Sequence, residues 1–206
     1  MSKVKTTFIC NNCGTNFPKW QGQCTSCKSW NSISEEVILK TKSNSWETET
    51  VKSIKSSTPQ KISNIVYKEE DRLVTSDTEF NRVLGGGIVP GSLTLLGGEP
   101  GIGKSTLLLQ IAIRLPYSTL YVSGEESQSQ IKMRANRMNH ESDDCYVLTE
   151  INLESIFKQI QKTEPQILII DSIQTLKTEL VDSTPGSVSQ IKTCTSELIN
   201  LSLIHI

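Results

Sequence analysis

Two groups of residues have the types and spacing to do chemistry. The first is Cys10-x2-Cys13 and Cys24-x2-Cys27, two knuckles with ten residues between them. Each knuckle turns two thiolates toward one point, so Cys10, Cys13, Cys24 and Cys27 can converge on a single tetrahedral Zn2+. Four thiolates close the coordination shell, which makes the ion structural and not catalytic. Free or disulfide-linked cysteines are the competing reading, and a reducing compartment disfavours it. Gly14 is expected to relieve the first knuckle's turn. Trp20 and Trp30 are expected to pack against this core, which is too small to hold without metal.

The second group is Gly98-Glu-Pro-Gly-Ile-Gly-Lys104-Ser105, followed by Thr106. Gly98, Gly101 and Gly103 lack a Cβ, so the loop can curl and aim backbone N–H groups at phosphate oxygens. Pro100 fixes one dihedral, and Glu99, Ile102 and Thr106 complete the expected nucleotide-binding run. Lys104 brings positive charge to the β- and γ-phosphates, and Ser105 offers a hydroxyl to Mg2+. Asp171 closes the apolar run Ile167-Leu-Ile-Ile170, where a second acidic motif holds the same ion. Glu125 and Glu126 follow another apolar run. Glu125 is the better candidate to orient an attacking water, and a solvated acidic turn is the competing reading. Cys145 and Cys194 fall at apolar positions with no partner pattern and read as core residues.

These residues need elements to position them. Ser92–Gly97 is a short apolar run before the loop and predicts a buried strand. Lys104 to Leu115 predicts a helix with Leu108, Ile111, Ala112 and Leu115 inward, stopped by Pro116. Strands are predicted at Ser118–Val122, Cys145–Leu148 and Ile167–Ile170. Helices are predicted from Gln128 to about Met138, after an Asn152 cap with Leu153, Ile156, Phe157 and Ile160 inward, and from Val188 to Asn200 with Ile191, Cys194 and Leu198 inward. The alternation implies an α/β fold: a parallel sheet with helices on both faces. The expected organisation is a metal module over 1–40, a flexible Ser/Thr/Lys/Glu-rich linker over 41–61, and the α/β domain over 62–206.

The net charge of −1 conceals an asymmetry. Residues 1–62 hold nine lysines against four glutamates, and the remainder holds twelve basic against eighteen acidic residues. The front end alone is suited to meet a polyanion, unless it is simply a solvated basic linker. Lys3 and Lys5 run into Thr-Thr-Phe-Ile-Cys without an apolar core, and no apolar run reaches membrane-spanning length. A cytoplasmic location without membrane contact is the expectation.

Together the motifs resemble the bacterial RadA (Sms) DNA-repair family over nearly the whole chain. The resemblance rests on Phe8-Ile-Cys-Asn-Asn-Cys-Gly14, Trp20-Gln-Gly-Gln-Cys24 and Trp30-Asn31. It continues through Asn81-Arg-Val-Leu-Gly-Gly-Gly-Ile-Val-Pro-Gly-Ser92, Gly97–Thr106, Tyr121-Val-Ser-Gly-Glu-Glu-Ser127, Asp171-Ser-Ile-Gln-Thr175 and Pro185-Gly-Ser-Val-Ser-Gln190. It implies a zinc ribbon joined to a RecA-like P-loop ATPase core, usually followed by a Lon-protease-like domain. It also implies ATP-dependent action on single-stranded or branched DNA in recombinational repair, other recombination proteins as partners, and a homo-oligomeric ring. On that pattern Lys104 and Ser105 serve the nucleotide, Asp171 is the second acidic motif, and Glu125 takes the place of the catalytic glutamate. The further strand, the Lys-Asn-Arg-Phe-Gly segment and the last domain of the family pattern do not follow the helix from Val188. The tail Leu201–Ile206 reads as a truncated or shifted remnant, with His205 incidental, so the core is expected to be incomplete at its carboxyl end. The expected activity is a DNA-dependent ATPase. The alternatives are a zinc- and nucleotide-binding module without turnover, and a decayed gene product.

Overall fold

The computed structural model describes residues 5–38, 59, 61–64, 71–140 and 142–204. Of the linker expected over 41–61, only 59 and 61 fall among them. The amino-terminal ribbon has three antiparallel strands, β1 (Lys5–Cys10), β2 (Asn16–Phe17) and β3 (Ile33–Ile38). β1 lies in the middle, with Phe8 opposite Phe17 on one side and Glu35 on the other. The ribbon core is Cys10, Phe17, Cys24 and Ile33, flanked by Phe8 and Cys27. Trp20 and Trp30 are not in it: they are 60% and 70% exposed. The expectation that they pack against this core is therefore corrected. Phe8, Phe17 and Ile33 already occupy the space around the buried sulfurs, and the two indoles are left outside.

The remainder is an α/β domain. In chain order it contains α1 (Thr78–Val83), α2 (Lys104–Arg114), β4 (Thr119–Ser123), α3 (Gln128–Arg137), β5 (Cys145–Thr149), α4 (Leu153–Thr163), β6 (Ile167–Asp171), β7 (Val181–Asp182) and α5 (Val188–Ile204). The parallel sheet has the order β5-β4-β6. Every residue of the central strand β4 is buried, as a strand covered on both faces requires. Its side chains alternate. Leu120 and Val122 join Ile156, Phe157, Cys194, Leu198 and Leu201 from α4 and α5. Tyr121 joins Leu109, Ile113 and Ile131 from α2 and α3. Each large aliphatic side chain buried this way contributes about 1.5–3 kcal/mol.

Caps place the helices. Asn152 accepts from Ser155 N at 2.8 Å, and Ser127 and Gln130 form a reciprocal capping box. On α2, Leu109 and Ile113 are buried together with Ile111 and Ala112, a broader face than the single stripe expected, because the helix packs on both the sheet and α3. α5 runs past Asn200, and Leu201 is part of the core. The helix is thus longer than the Val188–Asn200 expected, and 205–206 lie outside the described residues.

Ser92–Gly97 is not a strand among the described residues, and Leu95 is 80% exposed. A strand exists only by pairing its N–H and C=O groups with a neighbour. Of the described strands, β6 pairs only with β4, and none lies beside Ser92–Gly97. The expectation of a buried strand here is therefore corrected: the run has a strand's composition but no ladder to join among the described residues.

The ribbon and the α/β domain meet through backbone. β3 pairs antiparallel with β7, Val37 opposite Asp182 and Ile38 opposite Val181. The segment bearing β7 is shaped by the buried side chain of Gln190. Its Oε1 accepts from Thr178 N, and its Nε2 donates to the carbonyls of Thr178, Val181 and Ser183 at 2.9–3.2 Å. Gly14 sits where a Cβ would lie 2.7 Å from Val188 Cγ1 at the start of α5. No helix among the described residues is long and apolar enough to cross a membrane.

Candidate nucleotide site and metal centre

The candidate nucleotide site lies at the carboxyl ends of β4 and β6, the edge where parallel sheets hold ligands. The loop Gly98–Gly103 leads into α2. Gly101 and Gly103 have φ of +81° and +100°, and a Cβ at either would point into open space. Their lack of a side chain therefore serves backbone conformation and leaves the cradle clear. Lys104 Nζ donates to the carbonyls of Gly98 and Glu99 at 2.7 and 2.8 Å. The ammonium is thus held over its own loop, where phosphate oxygens would compete for it.

Ser105 Oγ donates to Asp171 Oδ1 at 3.0 Å, across 66 residues of chain. The other oxygen, Oδ2, accepts from Tyr121 Oη at 2.6 Å. Burial, together with this carboxylate, raises the Tyr121 pKa far above its usual value, so the phenol stays a proton donor. Arg134 on α3 ties the neighbouring loop to α2: Nη2 donates to Ser105 O at 2.8 Å and Nη1 to Glu126 Oε1 at 2.6 Å. Glu126 is therefore paired away. Glu125 Oε1 accepts from Ser172 Oγ at 3.1 Å, beside Asp171. Gly124 packs against the Thr175 side chain, leaving no space for a Cβ, and this close approach brings the Glu125 turn onto the segment after β6.

Lys104, Ser105 and Asp171 thus come together, and Glu125 is one residue from Asp171 by contact. Tyr121, Ser172 and Arg134 were missed in the sequence. A tyrosine within a fully buried strand must find a partner for its hydroxyl, which is the signal that could have found Tyr121. Arg134 carries no such signal, because its position facing Ser105 depends on how α3 packs on α2.

The four ribbon sulfurs all lie within 4.8 Å of one another. Cys10–Cys27 are 3.6 Å apart and Cys13–Cys24 are 3.5 Å apart. A tetrahedral Zn2+ with bonds of about 2.3 Å has sulfur–sulfur edges of about 3.8 Å, so the donor set fits such an ion. The two knuckles are built alike. Gly14 N donates to Cys10 O and Lys28 N to Cys24 O, at 2.7 and 2.8 Å. Gly14 and Lys28 both take positive φ, +70° and +59°. The Ser29 hydroxyl, 3.4 Å from Cys27 Sγ, and the Ser29 backbone N–H lower the Cys27 pKa to about 5, which favours the ligating thiolate. Away from the ribbon, burial pushes the Cys145 and Cys194 thiols up to about 11, as befits inert core residues.

Comparison with known proteins finds the same two parts. Residues 8–35 match a rubredoxin metal-binding domain and residues 57–190 match an AAA domain. The chain is 46% identical, over 98% of its length, to the DNA repair protein RadA of Bacillus subtilis, of which it covers 45%. The RadA proteins of Chlamydia muridarum and Streptococcus pyogenes are 46% and 45% identical over the same share of the chain, which covers 44% of each. The chain thus spans about half the length of the curated relatives it matches.

Proposed function

The chain belongs to the bacterial RadA family of AAA-domain proteins, and from that premise we propose that it binds ATP and Mg2+ and hydrolyses ATP in response to single-stranded or branched DNA during recombinational repair in the cytoplasm. The observation that carries this reading is the Ser105–Asp171 contact at the mouth of a glycine-rich loop. A hydroxyl and a carboxylate converging beside a lysine form the donor set for a nucleotide-bound Mg2+.

Gly98–Thr106 would cradle the phosphates with backbone N–H groups and the amino end of α2. Lys104 would exchange its two loop carbonyls for β- and γ-phosphate oxygens. Mg2+, held by Ser105 and Asp171, would supply charge against those same oxygens. Tyr121 fixes the orientation of Asp171, since its hydrogen bond occupies the second carboxylate oxygen. Glu125, held at the crevice by Ser172, would orient water for in-line attack on the γ-phosphate. The ribbon sulfurs would hold one structural Zn2+. DNA, other recombination proteins and a ring of like subunits complete the proposed setting.

A second reading has its own support. Among the described residues no strand pairs with the Ser92–Gly97 run that leads into the phosphate loop, and Leu95 is exposed, which favours a nucleotide-binding module without turnover. One experiment separates the two. The purified chain should bind ATP, Lys104→Ala should abolish binding, and oligothymidylate should accelerate phosphate release. ATP binding without phosphate release, whether or not DNA is present, would leave the module reading in place.

A further inference from the structure

Two tryptophans stand in water on a ribbon that has its own small core. Trp20 and Trp30 are 60% and 70% exposed. They are not scattered. A Cβ built on Gly22 would lie 3.8 Å from Trp20 Cη2 and 3.9 Å from Trp30 Cζ3, so each indole brings an edge to the same glycine. The backbone beneath is fixed: Trp30 bridges Gln23, Asn31 N donates to Gly22 O at 2.9 Å, and Gln23 Nε2 donates to Lys28 O at 2.9 Å. The metal knuckle at Cys24 and Cys27 underlies the same turn. Two large aromatic side chains therefore stand side by side on a hydrogen-bonded backbone, which lowers the ordering cost of binding.

The charged residues next to them in the sequence have one sign. From residue 11 to 34 the sequence contains Lys19 and Lys28, both exposed, and no aspartate or glutamate. Glu35 instead lines the cleft against Ser183–Ser187 of the α/β domain. The ribbon meets that domain through β3 and Gly14 and leaves both indoles in solvent. Aromatic faces flanked by lysines suit a polyanion whose flat groups are free to stack. Duplex DNA keeps its bases stacked on one another, whereas a single strand offers them.

We propose that Trp20 and Trp30, with Lys19 and Lys28, form a stacking platform on the ribbon that binds the unpaired bases of single-stranded DNA. The inference rests on the reading of the chain as a DNA-responsive protein and adds a location to it. Gly22 has a definite part: a larger side chain there would press on the edges of both rings. Sequence preference is expected to be weak, because every base has a π-face.

The chain has three tryptophans, so Trp46→Phe leaves only the two on this face as reporters. Titration of that full-length variant with an oligothymidylate of about 12 nucleotides should quench its fluorescence saturably and more weakly as salt rises. A duplex of equal length should quench it far less. Trp20→Ala and Trp30→Ala should each weaken oligonucleotide affinity about tenfold, and the phenylalanine variants should retain most of it. Gly22→Leu should weaken it with zinc content unchanged. A labelled oligonucleotide read by anisotropy separates the failures. Binding without quenching, or quenching by duplex as strong as by single strand, would overturn the platform and spare the DNA reading. No binding at all would overturn both. Shielding of the two indoles from a neutral quencher before DNA is added would show that another part of the chain or a second copy covers them, and would also overturn it.

Discussion

The ribbon and the nucleotide site reach similar geometric definition by opposite routes. In the ribbon, four ligands come from a segment of 18 residues, Cys10 to Cys27. Two nearly identical turns aim them, and a bound ion supplies the cohesion that a core of so few side chains lacks. In the α/β domain, Ser105, Tyr121 and Asp171 come from three elements and converge only because β4 and β6 lie side by side. There the cohesion comes from apolar burial on both faces of the sheet, and the polar site rides on it. The difference teaches where each site is vulnerable: the ribbon to loss of one ligand, the nucleotide site to loss of one neighbour.

The largest expected effect follows from that contrast. Cys24→Ala should release the metal and unfold the ribbon, since structural Zn2+ binding is worth on the order of 10 kcal/mol. Hydrogen exchange should show protection lost in β1–β3 and retained in β4–β6. Loss of both together would break the comparison, making the two regions one cooperative unit through β3 and β7. Next, Arg134→Leu should destabilise the α/β domain by about 2 kcal/mol. That is less than a fully buried pair would cost, because Glu126 keeps 32% of its side chain exposed. Chemical denaturation would measure it, with zinc content unchanged.

Tyr121→Phe removes the donor to Asp171 and should cost about 1–2 kcal/mol. Its sharper signature is a severalfold weaker Mg2+-dependent ATP affinity, with metal-free nucleotide binding little altered. The smallest effect is expected from Ser29→Ala. The Ser29 hydroxyl, together with the Ser29 backbone N–H, lowers the Cys27 pKa to about 5, so protons compete with the metal at Cys27 only in acid. Without the hydroxyl the pKa rises, protons compete sooner, and zinc should leave at a higher pH than in the natural chain. A chelator-based colour assay across pH would follow the release.

How much of this was legible in the sequence tracks the same contrast. Placement set by local spacing was readable: the four cysteines converge, Asn152 caps its helix, and Asp171 closes its strand beside Ser105 at the end of the glycine-rich loop. What depends on a distant neighbour was not. Ser92–Gly97 has the composition of a buried strand, but composition does not supply the adjacent strand. Trp20 and Trp30 have the hydrophobicity of core residues, yet the ribbon core was already full. Arg134 lies on a helix whose placement was predicted and whose facing partner, Ser105, was not. β7 has only two residues, too short to announce itself, and exists because Gln190 clamps the loop around it.

The pairing of β3 with β7 also sets an order of assembly. Val37 and Asp182 are far apart along the chain, and contacts at such separation form late because a long loop must be closed first. During synthesis the ribbon can take up its metal and fold as soon as Ile38 has emerged. Its outer strand then waits with an unpaired edge while more than half of the chain is still being made. The join between the two regions is therefore the last step to complete, and it completes only when the α/β domain has folded well enough to present β7.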